Sequence, residues 1–149
     1  MLFKDYAIKV LKDDGLRLTK PRTVVLEILA EAQKSLNAYE IADLCAAKKV
    51  KTDVSTVYRM LEVYKNLNLV HFVKETRGYL SCKKFTCADK NHCHHQFVCN
   101  SCKSISEIHL DDSSFIETLK KKFVGLQINA HYFEFSGFCK SCNNISSKN

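Results

Sequence analysis

Residues 54–82 read VSTVYRMLEVYKNLNLVHFVKETRGYLSC, and this stretch decides the fold. Its first part places Val57, Leu61 and Tyr64 at the i, i+4, i+7 spacing that is typical of the buried side of a helix. From Leu69 onward the pattern alternates, as in LVHFVK and YLSC, and the turn ETRG joins two strands into a hairpin. A helix followed directly by a small hairpin predicts a winged helix-turn-helix.

Three helices are predicted before this stretch. The first runs from Leu2 to Asp14 and has an apolar helical pattern. Thr19 is a suitable N-cap for the second, which carries Pro21 in its first turn, and Asn37 is a suitable N-cap for the third. Cys45 lies in an apolar helical stretch and is interpreted as a small core residue.

The second half predicts a small α/β unit. HCHHQFVC and KSISEIHL form a hairpin around the knuckle Cys99–Cys102, a helix runs from about Asp112 to Val124, and a strand runs from Gln127 to Gly137. The expected fold class is therefore α+β. It has an N-terminal winged helix-turn-helix domain over residues 1–84 and a small α/β C-terminal domain over residues 85–149.

Two CxxC pairs predict a structural zinc site. Each pair places two thiolates on a tight turn, and two such pairs complete a closed tetrahedral Zn²⁺ site. Disulfides or a redox-active pair are the alternatives. A thioredoxin-like pair needs a helix start within a βαβ pattern, which neither pair is expected to have. The four ligands are Cys99, Cys102, Cys139 and Cys142.

The remaining histidines and cysteines predict further metal binding. If the wing turn is Glu75–Gly78, His71 lies opposite Cys82 with Cβ atoms about 5 Å apart, which is half of a borderline-soft metal site. In the second hairpin we expect residue 96 to face 105 and residue 94 to face 107. That register puts His92, His94, Glu107 and His109 on one side and Cys93 and His95 on the other. Satisfied surface histidines are the alternative. A site joining the wing pair to His92 and Glu107 would couple metal binding to the angle between the domains.

The helix that begins at Val54 is the candidate for reading DNA. Arg59 can reach a guanine edge with two hydrogen bonds, and Ser55 or Thr56 can bond to phosphate. The alternative makes Tyr58 partly core and Arg59 a surface charge. Residues near the starts of preceding helices can contact the DNA backbone. The full candidate set is Lys20, Arg22, Tyr39, Ser55, Thr56, Tyr58 and Arg59.

Charge and composition narrow the class of protein. The net charge is +7, and residues 1–84 hold 16 of the 23 basic and 10 of the 16 acidic residues, so nearly all the excess lies there. We find neither a signal peptide nor a membrane-spanning run, which predicts a cytoplasmic protein without a membrane partner. Eight cysteines without an export signal favour metal or redox chemistry over disulfides. No HExxH pattern or nucleophile–base pair is present, so we expect neither an enzyme nor a small-molecule substrate.

The chain resembles the ferric uptake regulator superfamily over nearly its whole length, on the elements RLTKPR, AYEIADL, VSTVYRMLE, LVHFV, HHQFVCNSC and FCKSC. Within it, the zinc uptake regulator branch is the most similar. The resemblance implies a homodimer, held together by the C-terminal domain, that binds palindromic operator DNA when zinc-loaded and represses zinc uptake. Tyr39 and Arg59 match base-contacting positions. The regulatory ligands implied are His71, Cys82, His92 and Glu107.

This chain departs from its iron-sensing relatives ahead of the first knuckle cysteine. Those relatives usually carry His and Asp where this sequence has Cys93 and His95, and His131 matches a ligand of their other site. A third metal site is therefore a hypothesis, with Cys93, His95, Glu117 and His131 as its ligands. The insert around Cys87 has no counterpart.

Three alternatives to a zinc-sensing repressor are weighed. An iron or peroxide sensor of the same superfamily would not need Cys82, because Fe(II) and Mn(II) suit N/O sites better. A thiol oxidoreductase or zinc hydrolase is disfavoured because the strong zinc motif is coordinatively closed. A zinc-ribbon adaptor that binds protein is disfavoured by the basic first half and by Arg59.

Overall fold

The computed structural model describes residues 2–82, 95–108, 110–128 and 131–146, with side chains described up to residue 143. The chain divides into two compact units, Met1–Cys87 and Ala88–Asn149. Several expectations lie outside the described residues: the domain boundary at residues 84 and 85, and any role of Cys87, His92, Cys93, His94 and His109.

The first unit contains four helices and a two-stranded hairpin, as expected. The side chain of Thr19 accepts the N–H of Arg22, and Asn37 forms a full capping box with Glu40. Asp53 caps the fourth helix. The elements are α1 (Phe3–Asp13), α2 (Lys20–Glu31), α3 (Ala38–Ala47), α4 (Val54–Asn66), β1 (Val70–Val73) and β2 (Gly78–Ser81).

The core of the first unit forms along the inward side of α4. Val57, Leu61 and Tyr64 are fully buried, which confirms the helical pattern in the sequence. The Tyr64 hydroxyl donates to the Arg22 carbonyl at 3.0 Å and so joins α4 to α2. Cys45 is also fully buried, and this burial raises the pKa of its thiol. Its interpretation as a core residue is confirmed.

The register expected for the wing hairpin is wrong by two residues. His71 pairs with Leu80 rather than with Cys82. Cys82 lies just beyond β2, where its N–H donates to the Leu69 carbonyl at 2.9 Å. Because the error is an even number, residues 71 and 82 stay on the same side of the hairpin, now in a diagonal relation.

The register differs because the turn is made by Lys74–Arg77. Arg77 adopts the left-handed conformation with φ 50°, and its N–H donates to the Lys74 carbonyl at 3.2 Å. Gly78, which the sequence analysis had placed in the turn, begins β2 instead. A Cβ on Gly78 would lie 3.0 Å from the side chain of Ser35, so the strand needs glycine at this point to approach the neighbouring segment.

The second unit is a three-stranded sheet with two helices. The strand order is β4–β3–β5, with β3 antiparallel to β4 and parallel to β5. The strand expected over residues 127–137 covers only its last four residues, and α6 was not predicted. The elements are β3 (His95–Cys99), β4 (Ile105–Ile108), α5 (Ser113–Lys122), β5 (Glu134–Gly137) and α6 (Lys140–Ser146).

The register expected for the second hairpin is also wrong by two residues. Gln96 pairs with Glu107 rather than with residue 105. The connection is longer than expected: Cys99 donates its N–H to the Ser104 carbonyl at 2.9 Å, and Lys103 takes the left-handed conformation with φ 57°. The even shift keeps Glu107 on the side that was predicted for it.

Many large apolar side chains of the second unit are exposed, and α5 has no buried residue. They are Leu110, Phe115, Phe123, Val124, Leu126, Tyr132, Phe135 and Phe138. Across the described part of the chain, we find no helix with both the length and the apolar character that a bilayer crossing requires.

Candidate metal centres and nucleic-acid interface

The four knuckle cysteines come together in the second unit. Cys99 ends β3, Cys139 follows β5, and the parallel pairing of these strands brings their ends side by side. The four sulfur atoms all lie within 4.8 Å of one another. Such a set is placed for a structural Zn²⁺ with no open coordination position. The short helix α6 begins at the second knuckle, contrary to expectation, but the clustering of four sulfurs still favours zinc over a redox pair.

Hydrogen bonds to sulfur lower the pKa of two of the four thiols, those of Cys99 and Cys102. The Cys139 N–H donates to the Cys99 sulfur at 3.3 Å, and this bond and other backbone N–H groups lower the pKa of Cys99 to about 6. The pKa of Cys102 is lowered mainly by the Ser104 hydroxyl. The pKa of Cys142 is raised to about 11, where a hydrogen bond from Ser101 is outweighed by the neighbouring sulfurs. A Zn²⁺ ion would supply the positive charge that lets all four thiolates coexist.

The wing holds a second group of soft and borderline donors. His71 lies on β1 and is half-buried, and Cys82 follows β2 and is 2% exposed. One ligand atom of each residue lies within 4.8 Å of the other. The predicted pairing of imidazole and thiol is therefore present, although the two residues are not directly opposite. Glu107 is half-buried on β4 of the second unit.

His95 and His131 share a carboxylate that the sequence analysis did not select. Asp112 Oδ2 lies 2.9 Å from Nε2 of His95 and also bonds to Nε2 of His131. The bond to His131 is the main cause that lowers the pKa of Asp112. Glu117, expected in this place, is exposed on α5 and does not belong to the cluster that the described residues form. Among the described residues, Asp112 and not Glu117 is the carboxylate next to the two histidines.

The hydrogen bonds of His95 define its tautomer. The Phe133 N–H donates to Nδ1 at 3.0 Å, so Nδ1 carries no proton and the neutral ring carries its proton on Nε2. That proton points to Asp112. A metal ion at Nε2 would require the proton to leave and the ring to give up one of these bonds. This buried His95 is therefore already satisfied as a hydrogen-bonding residue.

The candidate DNA-contacting residues fall on two neighbouring helix starts. Arg22 of α2 and Thr56 and Arg59 of α4 line one groove of about 400 Å³. The Thr56 hydroxyl donates to Asp53 at 2.6 Å, which lowers the pKa of Asp53. The two arginines that line this groove offer guanidinium donors suited to a phosphate oxygen, whereas the proton of the Thr56 hydroxyl is already donated to Asp53.

The other candidate residues are mostly on the surface. Tyr39 is 64% exposed and Tyr58 is 42% exposed, so the view of Tyr58 as partly core does not hold. Lys20 and Ser55 are exposed as well. Large exposed aromatic side chains near the starts of helices are suited to contact bases and sugars.

A winged helix joined in one chain to a closed four-cysteine zinc cluster defines a metal-binding DNA-binding regulator. The model of the ferric uptake regulator family matches residues 13–136. A ferric uptake regulation protein of Staphylococcus epidermidis is 36% identical over 136 residues, covering 91% of this chain and 94% of the relative. One from Staphylococcus aureus (strain Mu50) is 33% identical over 136 residues, covering 91% and 95%.

Solved structures agree with this assignment. A zinc uptake regulator complexed with zinc and DNA has a TM-score of 0.81 at 26% identity, covering 97% of this chain and 95% of the other. Holo XcZur has a TM-score of 0.75 at 26% identity, covering 95% and 99%. The chain belongs to the ferric uptake regulator family. It is a metal-responsive, DNA-binding transcription regulator and not an enzyme.

Proposed function

We propose that this regulator responds to zinc. In its zinc-loaded homodimeric form it binds operator DNA in the cytoplasm and represses genes for zinc uptake. The Cys99 cluster holds the structural zinc, and a second zinc is the signal. Its proposed ligands are His71, Cys82, His92 and Glu107.

The pairing of His71 with Cys82 carries this proposal. Imidazole nitrogen and thiolate sulfur are the donors that zinc prefers, whereas Fe(II) and Mn(II) suit sites of nitrogen and oxygen. The two donors belong to one hairpin and already lie within 4.8 Å of each other. The zinc uptake regulators among the similar structures support the same choice of metal.

The proposed DNA contacts follow from exposure and charge. Arg59 is proposed to bond to a guanine edge and Tyr39 to contact a neighbouring base, because both side chains are exposed. Arg22 and Thr56 line the same groove as Arg59 and are proposed to contact phosphate. Lys20, Ser55 and Tyr58 complete the proposed interface.

Dimerisation is proposed for the second unit. Eight large aromatic and aliphatic side chains of its described residues are exposed, and apolar surface of this kind marks sites of association. Obligate dimer interfaces are rich in aromatic residues of this kind. The proposed DNA contacts all lie in the first unit, so a dimer interface on this surface would leave them accessible to DNA.

Iron or peroxide sensing is the second candidate function. The curated relatives reported above are named ferric uptake regulation proteins. The second unit also has an N/O donor set in His95, Asp112 and His131, which would suit Fe(II). Cys93, the further ligand proposed for this site, would instead add a thiolate that suits zinc. The hydrogen bonds that already occupy both ring nitrogens of His95 count against strong metal binding there.

A metal-resolved DNA-binding titration tests the proposal. Operator affinity is measured against buffered free Zn²⁺, Fe²⁺ and Mn²⁺ for the intact protein, Cys82→Ala and Cys45→Ala. Cys45→Ala is the matched control for Cys82→Ala. Both cysteines are buried in the first unit, and of the two only Cys82 belongs to a group of metal-binding side chains. We expect zinc to act at the lowest free concentration and Cys82→Ala alone to lose that response. Unchanged zinc-dependent binding by Cys82→Ala, or a preference for Fe²⁺, would refute zinc sensing.

Metal stoichiometry tests the third site. Two zinc ions per chain in the intact protein, and two in His131→Ala, would mean that the His95 cluster holds no metal. A third equivalent that His131→Ala loses would support metal binding there.

A further inference from the structure

A buried backbone bridge joins the wing to the segment that precedes α3. The Leu36 N–H donates to the Tyr79 carbonyl at 2.9 Å, and the Tyr79 N–H donates to the Leu36 carbonyl at 2.7 Å. Leu36 is 7% exposed and Tyr79 is 5% exposed. The two hydrogen bonds are short and shielded from water, so this antiparallel bridge holds Leu36 against the wing as a third strand would.

Close packing at the next residues holds the bridge in register. The Ser35 hydroxyl is hydrogen-bonded to the Thr76 hydroxyl at 2.7 Å. Gly78 packs so tightly that an added Cβ would lie 3.0 Å from the Ser35 side chain and 3.2 Å from the Leu36 carbonyl carbon. Contacts of 3.0–3.2 Å are tighter than most Cβ contacts, so an alanine at position 78 pushes on the Ser35 side chain and the Leu36 backbone.

One end of the bridge lies beside the donor pair of the wing. Tyr79 is followed in β2 by Leu80, the residue that pairs with His71, and Cys82 comes two residues later. Tetrahedral zinc ligation requires the histidine nitrogen and the cysteine sulfur to lie about 3.5 Å apart. Fixing that separation restrains the end of β2, and therefore the strand that carries Tyr79.

The other end of the bridge lies beside a proposed DNA contact. Leu36 is followed by Asn37, the N-cap of α3. The Asn37 side chain accepts the N–H groups of Tyr39 and Glu40 at 3.0 Å each, and Glu40 accepts the Asn37 N–H at 2.8 Å. This capping box makes the first turn of α3 move with Leu36. The exposed side chain of Tyr39 lies on that turn.

We propose that the Leu36–Tyr79 bridge, held by the close fit of Gly78 against Ser35, transmits metal binding at the His71–Cys82 pair to the position of Tyr39. The bridge residues are positioning residues, since they touch neither the metal nor the DNA. The inference rests on the proposed function, because it needs a signal at the wing and a DNA contact at Tyr39. It adds a route of coupling that lies wholly inside the first unit.

The first test compares two glycine variants by their coupling factor. This factor is the operator affinity with the regulatory zinc bound, divided by the affinity after a chelator has removed that zinc and left the cysteine cluster filled. Gly78→Ala disturbs the bridge. Gly15→Ala is the matched control, because Gly15 has a φ of +72° and no atom near its Cβ position, so it loses stability without touching the bridge.

We expect Gly78→Ala to lower the coupling factor by at least about 5-fold while zinc affinity at the wing changes little. Gly15→Ala should keep the full factor. A Gly78→Ala protein with an unchanged factor would overturn the proposal.

The second test needs no variant and no DNA. Amide hydrogen exchange of Leu36 and Tyr79 is followed in the intact protein with the regulatory zinc present and removed. We expect zinc to slow exchange at both amides, and at Tyr39 and Glu40 of the first turn of α3. Equal exchange in both states would overturn the proposal even if Gly78→Ala cannot be purified.

These outcomes separate the inference from the function on which it rests. If the intact protein shows no zinc-dependent DNA binding, the proposed function is wrong. If the intact protein responds to zinc but the Leu36 and Tyr79 amides do not, the function stands and the coupling takes another route.

Discussion

The hydrogen bond from Tyr64 to α2 gives a sharp prediction for Tyr64→Phe. Tyr64 is fully buried, its hydroxyl donates to the Arg22 carbonyl at 3.0 Å, and burial raises the pKa of the phenol. The substitution keeps the ring and its packing, so it creates no cavity worth counting. It removes one buried hydrogen bond to a neutral carbonyl, which costs about 1 kcal/mol of unfolding free energy.

For a unit of this size that loss corresponds to a midpoint lower by roughly 4–8 °C. Thermal unfolding followed by circular dichroism, in zinc-buffered solution, measures it. Tyr58→Phe is the matched control on the same helix, since Tyr58 is 42% exposed and should unfold like the parent protein. A Tyr64→Phe midpoint equal to that of the parent would refute the reasoning, because the ring alone would then account for the role of Tyr64.

Three further predictions concern the zinc cluster, the DNA interface and the start of α4. Cys99→Ser should lose the structural zinc, unfold the second unit and elute as a monomer in size-exclusion chromatography, while Cys45→Ala keeps the zinc; a dimeric Cys99→Ser protein would contradict this. Arg59→Ala should lose about 1–3 kcal/mol of discrimination between operator and mutated operator while zinc affinity is unchanged, as measured by fluorescence anisotropy and chelator competition; equal loss on every sequence would make Arg59 a phosphate contact. The pKa of Asp53 is lowered from 3.8 by the Thr56 hydroxyl, so its stabilising effect is complete above that value and is lost as pH falls through the lowered pKa. Asp53→Asn should therefore lose less stability than the parent in acid unfolding as the pH falls below 3.8 and through the lowered pKa; parallel curves would argue against the cap.

The helices of the first unit could be predicted because their signals are local. Thr19 and Asn37 cap helices in the way their side chains suggest, and the i, i+4, i+7 apolar residues of α4 are buried. The four-cysteine site could be predicted for a similar reason, because the CxxC spacing itself places two thiolates on one turn.

The strand registers could not be predicted because they depend on distant contacts. Glycine often marks a turn, and the turn expected in the wing is Glu75–Gly78. Here Arg77 takes the left-handed conformation, and Gly78 is used where Ser35, far away in the sequence, comes close. At the second hairpin, Lys103 takes the left-handed conformation although it is not a glycine, so the sequence gives no local sign of that turn.

Asp112 was missed as a partner of histidines for a related reason. Its sequence context suggests only the start of a helix, and its carboxylate instead binds His95 and His131, which come from either side of it in the sequence. The hypothesis for the third site names Glu117 instead, and the fold leaves Glu117 exposed on α5. Periodicity has no information on such long-range partners.

The parallel pairing of β3 with β5 has a consequence for the biosynthesis of this regulator. The two halves of the cysteine cluster are 37 positions apart, from Cys102 to Cys139. A nascent chain can complete its first unit early, since domains fold in order as they leave the ribosome. The second unit must wait until Cys139 and Cys142 have been synthesised and until an ion is bound. We expect a metal-starved cell to accumulate chains whose second unit has not folded. The amount of complete regulator would then depend on the availability of zinc.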